Sequence, residues 1–164
     1  MVDPAIPRMA PEWAISRWFN ADGALSLQSL RGRVVFLHAF QMLCPGCVQH
    51  AVPQSLKVAA AFASTDLAVI GLHTVFEHHQ VMGPDALQVY LHENRITYPV
   101  GVDAYHDRDF VQNPLPLTMQ AYAMQGTPTL LLIDRQGRLR RQRFGLVDDL
   151  PLGAEIATLL AEAP

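Results

Sequence analysis

The sequence predicts an α/β domain in which a central mixed β-sheet is flanked by helices. Apolar runs of strand length alternate with segments of helical periodicity, in the order β-α-β-α-β-α-β-β-α. The run 33–40 is apolar on both parities, as expected of a central parallel strand that helices cover on each face. No internal repeat, linker or low-complexity segment divides the sequence, so residues 1–164 are expected to form a single domain.

The first part of the chain predicts a short hairpin ahead of that strand. Residues 1–12 are rich in proline and are expected to form an irregular lead-in. Between 17 and 30, apolar residues stand on both sides of Asp22-Gly23, a pair that favours a tight turn between two strands. We therefore expect an N-terminal β-hairpin, then a loop over 29–32 and the strand 33–40.

The middle of the chain predicts two further βα units. A helix is expected over 45–64, and Pro53 inside it should bend the helix near Gln49 and His50 because proline has no N–H to donate. An apolar strand follows at 67–74, a helix opened by Pro84 at 84–94, and a short strand at 98–102.

The last third predicts a hairpin and a closing helix. Residues 105–117 are polar and contain prolines, which indicates an exposed loop, and a short helix is expected over 118–124. A strand at 129–133 turns at 134–137 into an antiparallel partner at 138–144, whose four arginines suit a sheet edge. An amphipathic helix over 148–163 ends the chain.

Composition limits the classes of partner. Half of the 164 residues are hydrophobic, 16% are charged and the net charge is −3, so the basic excess that binds nucleic acid is missing. No apolar run reaches the length of a membrane-spanning helix, and the N-terminus does not have the pattern of a secretory signal. We therefore expect a cytoplasmic protein, or a periplasmic one if a leader has been removed.

The only two cysteines, Cys44 and Cys47, stand where the strand 33–40 leads into the first helix, with Pro45 and Gly46 between them. This spacing suits either a metal clip or a reversible disulfide. Structural zinc normally needs two more soft or imidazole ligands at similarly tight spacing, and the sequence has no second cysteine pair. The redox interpretation is favoured, and neither a metal nor another cofactor is expected.

A set of ordered motifs resembles the thioredoxin superfamily, and within it the TlpA-like thiol-disulfide oxidoreductases of the redoxin branch. The motifs are Cys44-Pro45-Gly46-Cys47, Gly126-Thr127-Pro128-Thr129 and the segment 132–138. The resemblance implies a thioredoxin-like fold and an enzyme of the protein-disulfide reductase type, with antioxidant activity. Its partners would be protein or small-molecule disulfides and thiols, together with an unidentified electron donor.

The motifs also imply a role for each site residue. Cys44, at the start of a helix whose free N–H groups favour a thiolate, is the expected nucleophile, and Cys47, one turn inside, would resolve the mixed disulfide. The resemblance implies a cis bond between Thr127 and Pro128, facing the cysteines, with the backbone of Thr127 free to bind an extended substrate. Pro45 and Gly46 would influence the reduction potential.

The chain differs from its family at three positions whose side chains would support the cysteines. Leu43 replaces the usual tryptophan, His38 replaces an Asp or Asn six residues before the first cysteine, and His50 replaces an acidic residue. For His38 two roles are open: a hydrogen-bonded core residue, or an acceptor of the proton that Cys47 loses. His73 ends a strand at the edge where parallel sheets bind ligands, so it is a further supporting candidate.

Two alternative functions remain open. A thiol peroxidase of the peroxiredoxin type would have Pro and Thr where this chain has Leu37 and Gln41, which disfavours it. A copper-binding assembly protein could use Cys44 and Cys47 with a histidine such as His73. The cysteine spacing in that family is usually one residue longer.

Overall fold

The computed structural model describes residues 8–163. It contains seven strands that form one sheet: β1 Arg8–Met9, β2 Ile15–Phe19, β3 Val34–Phe40, β4 Leu67–His73, β5 Val100–Asp103, β6 Thr129–Ile133 and β7 Arg138–Phe144. The four α-helices are α1 Val52–Ala61, α2 Pro84–Glu93, α3 Leu117–Ala121 and α4 Asp149–Ala161. None of the helices within the described residues is both long and apolar enough to cross a membrane.

The sheet is mixed, with strand order β1-β7-β6-β3-β4-β5-β2. The pairs β3–β4 and β4–β5 are parallel, whereas β6 pairs antiparallel with both β3 and β7. Every residue of β3 is buried, which confirms the central strand that its two apolar faces predicted. Side chains of α1, α2 and α4 pack on one face of the sheet, and those of α3 and the segment 24–30 pack on the other. The predicted fold class is confirmed.

The helix that follows the cysteines is irregular where a bend was predicted. Residues Cys47–Ala51 form a π-helical turn, and the N–H of Val52 donates to the carbonyl of Cys47, five residues earlier. Pro53 then lies in the first turn of α1. Because proline has no N–H, the carbonyl of Gln49 loses its usual helical donor, and a wider turn accommodates that loss.

The predicted N-terminal hairpin is wrong in its pairing. Two N-terminal strands are present, but β2 pairs with β5 and β1 pairs with β7, at opposite ends of the sheet. Asn20 directly follows β2, has a φ of 56°, and donates from its amide to the carbonyls of Ile96 and Tyr98 at 2.8 and 3.2 Å. That attachment holds the chain beside β5, so residues 24–30 pass over the sheet as a loop and a turn.

The lead-in prediction for residues 1–12 falls partly outside the described residues. Residues 1–7 are not described, 10–12 are irregular as expected, and the prediction is wrong for Arg8 and Met9, which form β1. On its outer side, β7 is paired with β1 along Leu139 and Arg138. Among residues 8–163, no other strand pairs with that side of β7, which agrees with the sheet edge that its arginines suggested.

Candidate active site

Strand register brings the two predicted motifs together. Ala39, near the end of β3, pairs with Thr129, at the start of the antiparallel strand β6. The loop that leaves β3 toward Cys44 therefore lies beside the loop that enters β6 through Thr127 and Pro128. A mixed sheet is required for this meeting, because the end of one strand adjoins the beginning of its neighbour only when the two run antiparallel.

The two cysteines differ in exposure. Cys44 is partly exposed and Cys47 is fully buried, and both are free thiols. The backbone N–H of Cys47 donates to Sγ of Cys44 at 3.3 Å, and the Cys44 thiol donates to the carbonyl oxygen of Thr127 at 3.6 Å. A partner molecule can therefore reach Cys44 directly, whereas Cys47 is shielded behind it.

Burial also controls the ionisation of Cys47. Loss of solvent raises the pKa of its thiol to about 12, and a hydrogen bond with Cys44 adds to the rise. The backbone N–H of Gln41 and the hydroxyl of Thr127 act in the opposite direction, because both stabilise a negative charge on the sulfur. Cys47 is thus a protonated thiol at neutral pH while the pair is reduced.

The Thr127–Pro128 bond is cis, as the resemblance implied. Pro128 is buried against the cysteine turn: a Cβ built on Gly46 would lie 3.4 Å from Cδ of Pro128. Thr127 is half-buried, and its carbonyl contacts the thiol of Cys44. Its role in binding an extended substrate stays a prediction, as do the roles of Pro45, which is exposed, and Gly46.

His38 lies in the core and is hydrogen-bonded to a tyrosine. Its Nε2 is 2.9 Å from the hydroxyl of Tyr98, which confirms the expectation that a polar group in this strand would have a partner. Burial lowers the pKa of His38 to about 3. Its role as a proton acceptor for Cys47 stays a prediction, and this pKa disfavours the role because so weak a base takes up few protons near neutrality.

The other two candidate histidines bind backbone groups. Nε2 of His73 accepts the N–H of Met42 at 3.3 Å, and burial lowers the pKa of His73 to about 3. This neutral imidazole therefore fixes the turn between β3 and Cys44. His50 lies in the π-helical turn with its Nε2 3.0 Å from the carbonyl of Val147, in the segment that precedes α4.

Sequence reasoning missed Gln41 as a member of the site. This residue follows β3, is 1% exposed, and joins Thr127 to the segment after β4 through its side chain. Its signal in the sequence was a polar residue directly after the largely apolar run that ends at Phe40. The partners of its amide lie 35 and 86 positions away along the chain, so the sequence did not indicate them.

An apolar rim surrounds the exposed cysteine. Leu43 is 57% and Leu146 is 64% exposed, and Val48 is also exposed. Leu146 lies beside Gly46, since a Cβ on that glycine would be 3.8 Å from Cδ2 of Leu146. We refer to Leu43, Val48 and Leu146 as the apolar rim. Leu43, at the position of the family's tryptophan, supplies part of this surface with a smaller side chain.

The geometry gives the two alternative functions no specific support. Within residues 8–163, no group of three or more His, Cys, Asp or Glu side chains is arranged to hold a metal ion. Nε2 of His73, the histidine considered as a copper ligand, is occupied by the N–H of Met42. Leu37, at the position of the peroxidase proline, is fully buried.

Comparison with known proteins agrees with this geometry. The crystal structure of SPOA0173, a thioredoxin-like superfamily protein, is 56% identical to the chain, with a TM-score of 0.91 over 95% of this chain and 98% of that one. A thiol-disulfide isomerase from Corynebacterium glutamicum is 46% identical, with a TM-score of 0.86 over 94% and 98% of the two chains. No protein-family model matches the sequence.

Among curated proteins, Protein DipZ of Mycobacterium bovis is 30% identical over 133 residues, which are 80% of this chain. The chain spans only 17% of the length of DipZ. The two solved structures, by contrast, match almost end to end, and their TM-scores indicate the same fold. The chain belongs to the thioredoxin-like superfamily and, within it, to the thiol-disulfide oxidoreductases.

Proposed function

We propose that this protein reduces or exchanges disulfides of partner proteins, with Cys44 as the attacking and Cys47 as the resolving cysteine. The observation that carries the proposal is the unequal exposure of the two sulfurs: Cys44 is accessible and Cys47 is 0% exposed. An intermolecular disulfide can form only at an accessible sulfur. The buried sulfur can then attack only its neighbour.

The reaction proceeds in two exchanges. The Cys44 thiolate attacks one sulfur of the partner disulfide, so a mixed disulfide forms and the other partner sulfur leaves as a thiolate. Cys47 then loses its proton and attacks Sγ of Cys44, which forms the Cys44–Cys47 disulfide and releases the second partner sulfur. Two electrons pass to the partner, and a dithiol donor must return two electrons before the next cycle.

The site favours ionisation of Cys47 in the mixed disulfide and disfavours it in the reduced pair. In the reduced pair, burial and the neighbouring Cys44 raise the pKa of Cys47 to about 12. Once Cys44 is bound to a partner sulfur, it no longer carries a charge that repels a Cys47 thiolate. The N–H of Gln41 and the hydroxyl of Thr127 remain to stabilise that thiolate.

The roles are tested by substitution and alkylation. We expect Cys44 to react with iodoacetamide faster than Cys47 at neutral pH, and Cys44→Ser to abolish reduction of insulin disulfides. Cys47→Ser is the matched variant: it should retain the first exchange and accumulate a covalent mixed disulfide. Equal alkylation rates, or activity that survives Cys44→Ser, would contradict the assignment.

The direction of electron flow is tested by equilibration with glutathione. A reduction potential near −270 mV, about that of thioredoxin, would make the protein a reductant, and one near −120 mV would make it an oxidant. We propose the reductive direction, together with the cytoplasmic location that favours it. A potential near −120 mV would reverse this part of the proposal.

A further inference from the structure

Gln41 joins its own turn, which leads to Cys44, to two other segments of the chain. Its Oε1 accepts the backbone N–H of Phe76 at 3.2 Å, in the segment after β4. Its Nε2 donates to the hydroxyl of Thr127 and to Oε1 of Glu77, both at 3.4 Å. A side chain that is 1% exposed and satisfied at both ends is fixed in place, so these contacts set the position of Glu77 relative to the cysteine site.

Glu77 is an exposed carboxylate without an ion pair. Within residues 8–163, no Lys, Arg or His nitrogen lies within ion-pair distance of it, whereas Asp134, Asp149, Glu155 and Glu162 are all paired. The amide of Gln41 is neutral and leaves the negative charge uncompensated. The carboxylate is thus two hydrogen-bond lengths at most from the hydroxyl of Thr127.

A partner must pass close to this charge. The Cys44 thiol contacts the carbonyl of Thr127, so a disulfide that reacts with Cys44 arrives beside Thr127. The residues that flank the partner's cysteine would then approach Thr127, whose hydroxyl shares the amide of Gln41 with the carboxylate of Glu77. The apolar rim of Leu43, Val48 and Leu146 has no charge, so it cannot discriminate between acidic and basic partners.

We propose that Glu77, held by Gln41, makes the site selective for disulfides whose cysteine is flanked by Lys or Arg and disfavours those flanked by acidic residues. This inference rests on the proposed disulfide exchange and specifies the class of its substrates. Charge at the edge of a binding site acts mainly on the rate of productive encounter and is screened by salt. Selectivity should therefore decrease as ionic strength rises.

The test uses two quenched disulfide peptides that differ only in a Lys or a Glu next to the cysteine. The second-order rate constant of each is measured in single turnover with the fully reduced protein, so no electron donor is required. We expect the wild type to prefer the Lys peptide by roughly two- to fivefold at low salt, within the range of exposed charge pairs. In Glu77→Gln the ratio should approach unity, and in Glu77→Lys it should invert.

Matched variants separate this effect from others. Glu93→Gln removes the same charge at the far end of α2 and should leave the ratio unchanged. Gln41→Ala changes no charge but releases Glu77, so the ratio should fall. A substitution that changes the reactivity of Cys44 itself alters the rate constants of both peptides by the same factor. The ratio of the two rate constants is therefore unaffected by such a change.

The two proposals fail in different ways. If the wild type reduces neither peptide, the proposed disulfide exchange is wrong. If it reduces both and the ratio is unaffected by Glu77→Lys, the exchange stands and the selectivity by Glu77 is overturned. A ratio that stays at the wild-type value in Gln41→Ala would contradict the role of Gln41 in holding the carboxylate.

Discussion

At the scale of single residues, two tyrosines of the same hydrophobic cluster differ in the hydrogen bonds of their hydroxyl groups. The hydroxyl of Tyr98 is hydrogen-bonded to Nε2 of His38 in the core. The hydroxyl of Tyr90 is buried and has no hydrogen-bond partner among residues 8–163. Burial raises the pKa of both phenols, and negative charge on Cys47 or Cys44 would raise that of Tyr90 further.

This difference predicts opposite effects of the same substitution. Tyr98→Phe should lower the free energy of unfolding by about 1–3 kcal/mol, because it leaves Nε2 of His38 buried without a partner. Tyr90→Phe should leave stability unchanged or raise it, because it removes a polar group that gains nothing from burial. Denaturant unfolding of the two variants checks this, and equal losses would contradict it.

Single residues could be proposed for the site where a residue type has few chemical uses. A cysteine pair at a strand-to-helix junction and a Gly-Thr-Pro-Thr motif indicated Cys44, Cys47 and Pro128 from sequence alone. Gln41, Tyr98 and Glu77 were missed because their importance lies in contacts with residues far away along the chain. Glutamine and tyrosine occur in many environments, so their identity does not indicate a role.

At the scale of elements, Asp134 organises the turn between β6 and β7. Its carboxylate accepts the N–H groups of Gln136 and Arg138 and the side chains of Arg138 and Arg140. Burial alone would raise its pKa, but these donors outweigh burial and lower it. Arg140 also pairs with Glu162, just after α4. Through Arg140, the carboxylate of Asp134 therefore connects the hairpin to the end of the last helix.

Asp134→Asn should therefore destabilise the protein by about 1–3 kcal/mol, since the amide leaves partly buried guanidinium groups with a weaker acceptor. Chemical denaturation measures the loss. Asp85→Asn is a suitable control, because Asp85 is fully exposed and its nearest cation, Arg17, is 3.7 Å away. The same loss in both variants would show that Asp134 contributes no more than a surface carboxylate.

Element positions were predictable from local signals, and element partners were not. Helix α2 begins at Pro84, as predicted, and the helix after the cysteines is irregular just before Pro53. The hairpin about Asp22-Gly23 was wrong because the amide of Asn20 binds carbonyls more than 70 positions away. Similarly, α3 begins where Asp103 accepts the N–H groups of Thr118 and Met119, a contact that local periodicity does not contain.

At the scale of the whole molecule, the fold buries two neutral imidazoles side by side in the sheet. His38 and His73 are 2% and 1% exposed and both contact Phe40, with ring centroids 4.9 and 5.2 Å from that of Phe40. Burial lowers the pKa of each to about 3, whereas in the unfolded chain each titrates near its ordinary value. Between those two values the unfolded chain binds more protons than the native protein does.

Stability should therefore be complete above pH 6.5 and fall as the pH drops below it. Each imidazole should remove about 2 kcal/mol of unfolding free energy between pH 7 and pH 5. The carboxylates with lowered pKa values, Asp134 among them, affect stability only at lower pH, near the ordinary range of aspartate. Burial raises the pKa of Asp103, so its protonation favours the native state as the pH falls and cannot cause a loss. The loss above pH 5 is thus assigned to the two histidines.

Denaturant unfolding at pH 7 and pH 5 tests this, with His38→Asn as the informative variant. Asparagine does not titrate, so the variant should lose about half as much stability on acidification as the wild type, whatever its stability at pH 7. His106→Asn, in the exposed loop before α3, should lose as much as the wild type. If all three proteins lose the same amount, the buried imidazoles are not the groups that make the fold sensitive to acid.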